Sequence, residues 1–301
     1  MKDIFEQLLV LYIFIATGFL LGKLLKDKVQ HTSILSVLLV NVFLPAKVFK
    51  SFASNFTVTF ITQKYTLLIA SIVLLLLLVA LAPLMAKWLG KNKNEQNVYK
   101  YSVPISNYAY LGYVLIENVF GSSFLTDFIF FAIPFIFYTY TFGYAILTNG
   151  ACNLKKLLNP ITVAIVLGAI VGVTGLTLPA PVQSVISGAS SCVGPLSMIL
   201  TGIVLSTFNL GELFTNVNPY IFLVIKMGVI PAICLGLCLL FGIKEIGFMV
   251  LIITCMPCGL NPIVFSKLVG EDCKPGARLV VLSHIIAMIS LPLWLSLINV
   301  L

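Results

Sequence analysis

The sequence predicts an all-α polytopic membrane protein of ten transmembrane helices in a 5+5 inverted repeat, with helices 4 and 9 broken. Three observations carry this. Of 301 residues, 60% are hydrophobic and only 9% charged, with mean hydropathy +1.10, whereas a soluble domain carries roughly 25% charged residues. Apolar runs of about 20 residues, long enough to cross a bilayer, recur from one end of the chain to the other. Prolines inside those runs pair up between the two halves.

The first run, 4–22, has the length of a signal peptide. Asp3 and Glu6 spoil a cationic leader and no small-x-small cleavage site follows, so it reads as a retained span. Further runs fall at 33–52, 65–89, 101–120, 124–148, 160–176, 182–207, 219–241, 246–268 and 277–300. Breaker residues separate them at Gly90 to Asn97, Asn153 to Pro160 and Leu178 to Pro181. The halves, 1–152 and 153–301, hold five spans each.

The net charge of +8 invites a nucleic-acid partner, but the lysines lie in short loops between apolar runs, so none is expected. The partner they indicate is the lipid bilayer. Lys23, Lys26, Lys28, Lys87, Lys91, Lys93, Lys100, Lys155, Lys156, Lys267, Lys274 and Arg278 fall in odd-numbered loops; Lys2, Lys50, Lys64 and Lys244 fall at the N-terminus or in even loops. By the positive-inside rule the odd loops are cytoplasmic and both termini lie outside the cytoplasmic membrane.

Seven cysteines sit mostly inside apolar runs, where a thiol behaves as a small hydrophobe, and imply no disulfide framework. Cys255 and Cys258 read C-x-x-C around Pro257 but have no second ligand pair at zinc spacing. No Walker motif, nucleophile elbow or HExxH is present, so neither enzyme chemistry nor a cofactor is expected.

Span four, YSVPISNYAYLGYVLIENVFG, is oddly punctuated by Pro104, Ser106, Asn107 and Gly112. Proline lacks the amide proton and clashes with the preceding turn. The carbonyls freed by such a break need partners, and hydrocarbon offers none, so broken helices at membrane depth line protein or a wet cavity. The same pattern recurs. Pro45 in span two answers to Pro195 in span seven, and Pro104 in span four to Pro257 in span nine, where the chain reads TCMPCGLNPIVFSKLVG. A repeat of five spans is odd, so its second copy enters the membrane inverted. Interrupted helices at matching positions of inverted halves point to a secondary transporter and its midplane site.

The stretches VNVFLPAKVF, ISNYAYLGYVLIENVFG and MPCGLNPIVFSKLVGED resemble the auxin efflux carrier family, which takes in plant PIN-type carriers and bacterial malate or malonate permeases. The likeness runs over the whole chain; its most specific parts are N-x-x-x-L-G in span four and P-x-x-x-N in span nine. The resemblance implies broken spans four and nine crossing near the midplane at Pro104, Asn107, Pro257 and Asn261. It also implies a scaffold of spans one, two, six and seven that forms a homodimer, beside a moving transport domain. Two departures are visible: Lys47 follows LPA where family members usually have an apolar residue, and Tyr108 and Tyr110 stand where smaller residues are usual.

Half-helices that start at a break present amides and a positive dipole end, which suits an anion. Asn107 and Asn261 can donate and accept, so they can hold a carboxylate or cap the freed backbone, and the two roles are compatible. Tyr108, Tyr110, Asn41 and Lys47 complete the candidate substrate-binding set. Lys47 can act as counter-charge to an organic anion or snorkel to the headgroups; snorkelling is expected of Lys226. His284 can relay a proton or be a satisfied core histidine. Glu117 and Asp127 are expected in a solvated loop. No acidic residue stands at a span centre, which leaves a sodium/proton antiporter without its buried carboxylates. The aromatic residues of span five, Phe128 to Tyr144, cover every face and suit lipid contact and packing.

The expected function is a secondary active transporter, a permease or efflux carrier of small organic anions such as carboxylates, working by alternating access. Coupling to H+ or to Na+ stays open. The alternatives are a sodium-coupled bile-acid-type symporter and a membrane receptor that binds the same ligands without moving them.

Overall fold

Long apolar stretches leave the backbone no hydrogen-bond partners but its own, and in this chain they coil into helices. The computed structural model describes residues 2–25, 32–150, 152 and 154–297; Lys26 and Lys28 of the first loop, and Asn153 at the mid-chain boundary, lie outside the described residues. No strand occurs among the described residues. Seven helices are long and apolar enough to cross a membrane: Ile4–Leu24, Ile34–Asn55, Val58–Leu89, Tyr108–Thr148, Ala180–Ser206, Asn218–Leu240 and Lys274–Ser296. A shorter apolar helix, Pro160–Thr174, joins them.

In chain order the elements are α1 (Lys2–Leu24), α2 (Thr32–Leu38), α3 (Leu44–Asn55), α4 (Val58–Leu89), α5 (Lys93–Ser102), α6 (Tyr113–Tyr138), α7 (Tyr144–Thr148) and α8 (Pro160–Thr174). They continue with α9 (Ala180–Ser191), α10 (Val193–Ser206), α11 (Leu210–Leu213), α12 (Asn218–Val224), α13 (Ile230–Leu240), α14 (Lys244–Cys255), α15 (Asn261–Leu268) and α16 (Lys274–Ser296). Wider, π-type turns at Leu39–Phe43 and Ile225–Val229 join α2 to α3 and α12 to α13, each two residues before a proline, Pro45 and Pro231. The wider turn carries the helix past a residue that has no amide to give.

Among the boundaries that differ from the sequence expectation, two have a visible cause. The third apolar helix begins at Val58 rather than 65, because Thr57 caps it, its side chain accepting from the Phe60 amide at 3.1 Å. The polar run Lys93 to Lys100, expected as loop, is helix α5. Asn92 accepts from the Glu95 amide at 2.9 Å and Glu95 accepts from the Lys91 amide at 2.9 Å, a capping pair that starts a helix despite its polarity.

Helix α6 contains a turning point at Gly121, with φ +88° and ψ 175°. That backbone region is open essentially to glycine alone, and here one helix ends and the next begins. The helices pack in two groups. In one, α1 lies along α10 and α3 lies along α8 and α9; in the other, α4 packs on α5, α6 and α14, and α13 on α14. Gly202 of α10 sits so close to α1 that a methyl group there would overlap the Ile15 carbonyl. Outward faces are apolar, including Leu76, Leu77 and Trp88 of α4 and Val166 and Ile170 of α8, as contact with lipid requires.

Candidate functional site

Between α5 and the π-type turn Tyr108–Gly112, residues 103–107 leave helical geometry, and so do 256–260 between α14 and α15. Proline explains both: an amide proton is missing at Pro104 and Pro257, so the carbonyls one turn earlier have no helical donor. For Pro257 that carbonyl belongs to Ile253. Its partner is the Ser106 hydroxyl of the other break, donating at 2.6 Å.

The two breaks satisfy each other further. The Asn107 amide donates to the Pro257 carbonyl at 2.7 Å, and the Ser283 hydroxyl accepts from the Cys258 amide at 2.9 Å. The Met256 carbonyl takes the Lys226 ammonium at 3.1 Å. Lys226 is therefore not snorkelling: it is 2% exposed and turned inward. The ammonium sits at the C-terminal end of α14, where the helix dipole favours positive charge.

A cavity of about 40 Å³ opens where the breaks meet. Asn107, Asn261, Tyr108 and Tyr110 line it together, beside Ser106, Tyr101 and Gly259. Leu44 of α3 and Ile161 of α8 close it from the other helix group, so it lies on the seam between the groups. Two helix starts reach it, the turn at Tyr108 and the first residue of α15, and no charged side chain among the described residues lines it.

Each asparagine is held in place. The Asn107 Nδ2 lies 3.3 Å from Nε2 of His284, whose Nδ1 lies 2.8 Å from the Val280 carbonyl. The Asn261 Nδ2 donates to the Tyr101 hydroxyl at 2.7 Å. The Tyr108 hydroxyl is 3.4 Å from Oγ1 of Thr139, which donates to the Phe135 carbonyl at 2.8 Å. The site thus consists of amide, hydroxyl and backbone groups, the equipment for binding an acceptor-rich ligand.

The remaining candidates stand elsewhere. Pro104 and Pro257 shape the breaks without lining the cavity. Asn41 is exposed, its amide donating to the Val37 carbonyl at 2.8 Å, and does not reach the site. Lys47, for which counter-charge and snorkelling both stood open, does not line the cavity: it is 4% exposed and ion-paired with Glu117 rather than extended to the headgroups. Glu117 and Asp127 correct the solvated-loop expectation: both lie in α6, Glu117 paired with Lys47 and Asp127 buried and paired with Lys64 at 3.3 Å. In both cases the partner is on another helix, out of reach of sequence spacing.

Sequence reasoning missed Tyr101, Thr139 and Tyr140, all of which line the cavity. Tyr140 belongs to the aromatic run of its helix, where Phe128, Phe131 and Phe135 are buried as packing residues while Phe137 and Phe142 face outward.

A family model described as membrane transport protein matches the chain in two stretches, residues 3–151 and 145–295. No curated protein matches it.

Proposed function

We propose, from the premise that the chain belongs to the membrane transport protein family of the auxin efflux carriers, that it is a secondary active transporter of small organic anions, carboxylates in particular. The observation that carries this is the pair of mutually satisfied breaks around a cavity that two helix starts and two asparagines face. Amide donors and positive dipole ends favour an anion there. The absence of carboxylates from the lining among the described residues weighs against a sodium-coupled relative, and so does the Lys226 ammonium already seated at the carbonyl end of α14.

In this reading the chain makes ten passes in two inverted halves, 1–152 and 153–301. Span four is α5 with the start of the Tyr108–Thr148 helix, and span nine is α14 with α15. The group of α1, α3, α8, α9 and α10 is the scaffold, through which a homodimer forms, and the other group carries the substrate. A cavity of about 40 Å³ is far below the roughly 300–1,000 Å³ of ligand pockets. Substrate therefore enters only when the groups separate, as alternating access demands. Polar contacts run along the seam: Lys47, Ser51 and Asn55, spaced one turn apart on α3, meet Glu117 and Thr126 of α6. Both termini are assigned outside the cytoplasmic membrane on the lysine distribution.

Thermal unfolding of the purified protein with malate, malonate or succinate tests the binding claim. Stabilisation of the wild type that is lost in Asn107→Ala and Asn261→Ala supports it; equal stabilisation of both variants moves the site elsewhere.

A further inference from the structure

We propose that His284 is a proton-binding group that sets which end of the Asn107 amide faces the cavity, so that the site takes up one proton with each carboxylate. The inference rests on the anion-binding reading of the cavity given above.

A carbonyl only accepts hydrogen bonds. Nδ1 of His284, 2.8 Å from the Val280 carbonyl one turn earlier on α16, therefore carries a proton in both charge states of the ring. In the neutral ring Nε2 is then the acceptor. The group that faces it is Nδ2 of Asn107 at 3.3 Å, a donor, so the pair is complementary as it stands. With Nδ2 on the ring, the amide leaves Oδ1 for the cavity that Asn107 lines. An acceptor at that wall disfavours a carboxylate, which is itself acceptor-only.

A proton from solvent placed on Nε2 turns that nitrogen into a donor facing a donor. Rotating the amide half a turn about its Cβ–Cγ bond restores complementarity: Oδ1 accepts from Nε2–H, and the NH₂ turns to the cavity. No covalent bond other than the new N–H changes. The wall now offers a donor, backed by an imidazolium charge, and both favour the anion. Proton and anion thereby bind cooperatively, and by linkage each raises the affinity for the other.

The surroundings leave this switch to His284. From α1, the Tyr12 hydroxyl donates to the His284 backbone carbonyl at 2.7 Å and holds the helix in place. From α5 comes Glu95, 3.7 Å from Arg278, and from α11 comes Glu212, 2.8 Å from Lys274. Cys255 of α14 and Cys258 of its break are buried thiols, with the Lys226 ammonium on the Met256 carbonyl between them in sequence. Tyr220 lies on α12 and Lys267 on α15. None of these is bonded to the ring, whose two nitrogens are taken by Val280 and Asn107.

Proton uptake measured with a pH-indicator dye, as malate is added to the purified, weakly buffered protein near neutral pH, tests the proposal. The expected result is roughly one proton taken up per malate bound, with affinity falling up to about tenfold per pH unit as pH rises. His284→Gln, which keeps hydrogen-bonding groups but cannot be protonated, is expected to bind malate without proton uptake and without that pH dependence. Malate binding by the wild type with no proton taken up overturns the inference and leaves the anion site standing, whether or not the variant folds. Unchanged proton uptake by His284→Gln overturns it too. No stabilisation by malate, malonate or succinate at any pH removes the anion site, and the inference with it.

Discussion

The backbone amide of Asn107 donates to the carbonyl of Pro257 at 2.7 Å, joining two interrupted helices that lie far apart in the chain. Neither break is stable in hydrocarbon by itself, because each leaves polar backbone groups without partners. Together they exchange donors and acceptors, and the cavity forms where they do.

The Ser106 hydroxyl stands in for the amide proton that Pro257 lacks, donating to Ile253 at 2.6 Å. Ser106→Ala leaves that buried carbonyl unpartnered, and the expected cost is about 1–3 kcal/mol. Thermal unfolding in detergent measures it; an unchanged midpoint would mean that the carbonyl finds another donor.

Lys47 and Glu117 bridge α3 and α6, with side chains 4% and 25% exposed. Lys47→Met strands the Glu117 carboxylate. The cost is expected at about 1–3 kcal/mol, less than for a fully buried pair because water still reaches Glu117. The double variant Lys47→Met/Glu117→Leu is expected to recover most of the loss, as a double-mutant cycle will read. Additive losses would show that the two side chains act separately.

Gly121→Ala places a side chain at φ +88°, and about 1–3 kcal/mol of destabilisation is expected from backbone strain, since a Cβ there meets nothing else within 4 Å. Gly202→Val is different in kind. It pushes α1 from α10 at a backbone contact, with an expected loss of about 1–3 kcal/mol from overpacking. Cysteine cross-linking between the two helices, impaired in Gly202→Val and intact in Gly121→Ala, separates the causes.

Tyr101→Phe removes the acceptor that holds the Asn261 amide at 2.7 Å. Malate affinity is expected to fall about tenfold, the equivalent of one hydrogen bond, while the fold is retained. Unchanged affinity would make the contact a matter of packing only.

Much of this was legible where a residue type conflicts with its surroundings. Proline in an apolar run tells where a helix stops, and asparagine beside it tells where polar groups gather; Pro104, Asn107, Pro257 and Asn261 all carried that signal. The start of α5 was also written in the sequence, as Asn92 and Glu95 at capping distance, but hydropathy alone hid it. Partners on other helices were not legible. Nothing in the spacing of Lys47 points to Glu117, or of Lys226 to the Met256 carbonyl, because those meetings are made by tertiary packing. Asn41 illustrates the converse: a polar residue in an apolar run, it turns outward and is satisfied by its own helix. Tyr101, Thr139 and Tyr140 gave no signal, since hydroxyl-bearing residues are ordinary in packed membrane helices.

The most direct test of the transport claim is malate counterflow, in which proteoliposomes loaded with unlabelled malate take up radiolabelled malate from outside. Wild-type protein is expected to give a transient accumulation well above empty liposomes, reduced at least about tenfold in Asn107→Ala and in Asn261→Ala. Absence of counterflow with malate, malonate and succinate alike, or counterflow undiminished in both variants, would contradict a carboxylate carrier working at the meeting of the two breaks.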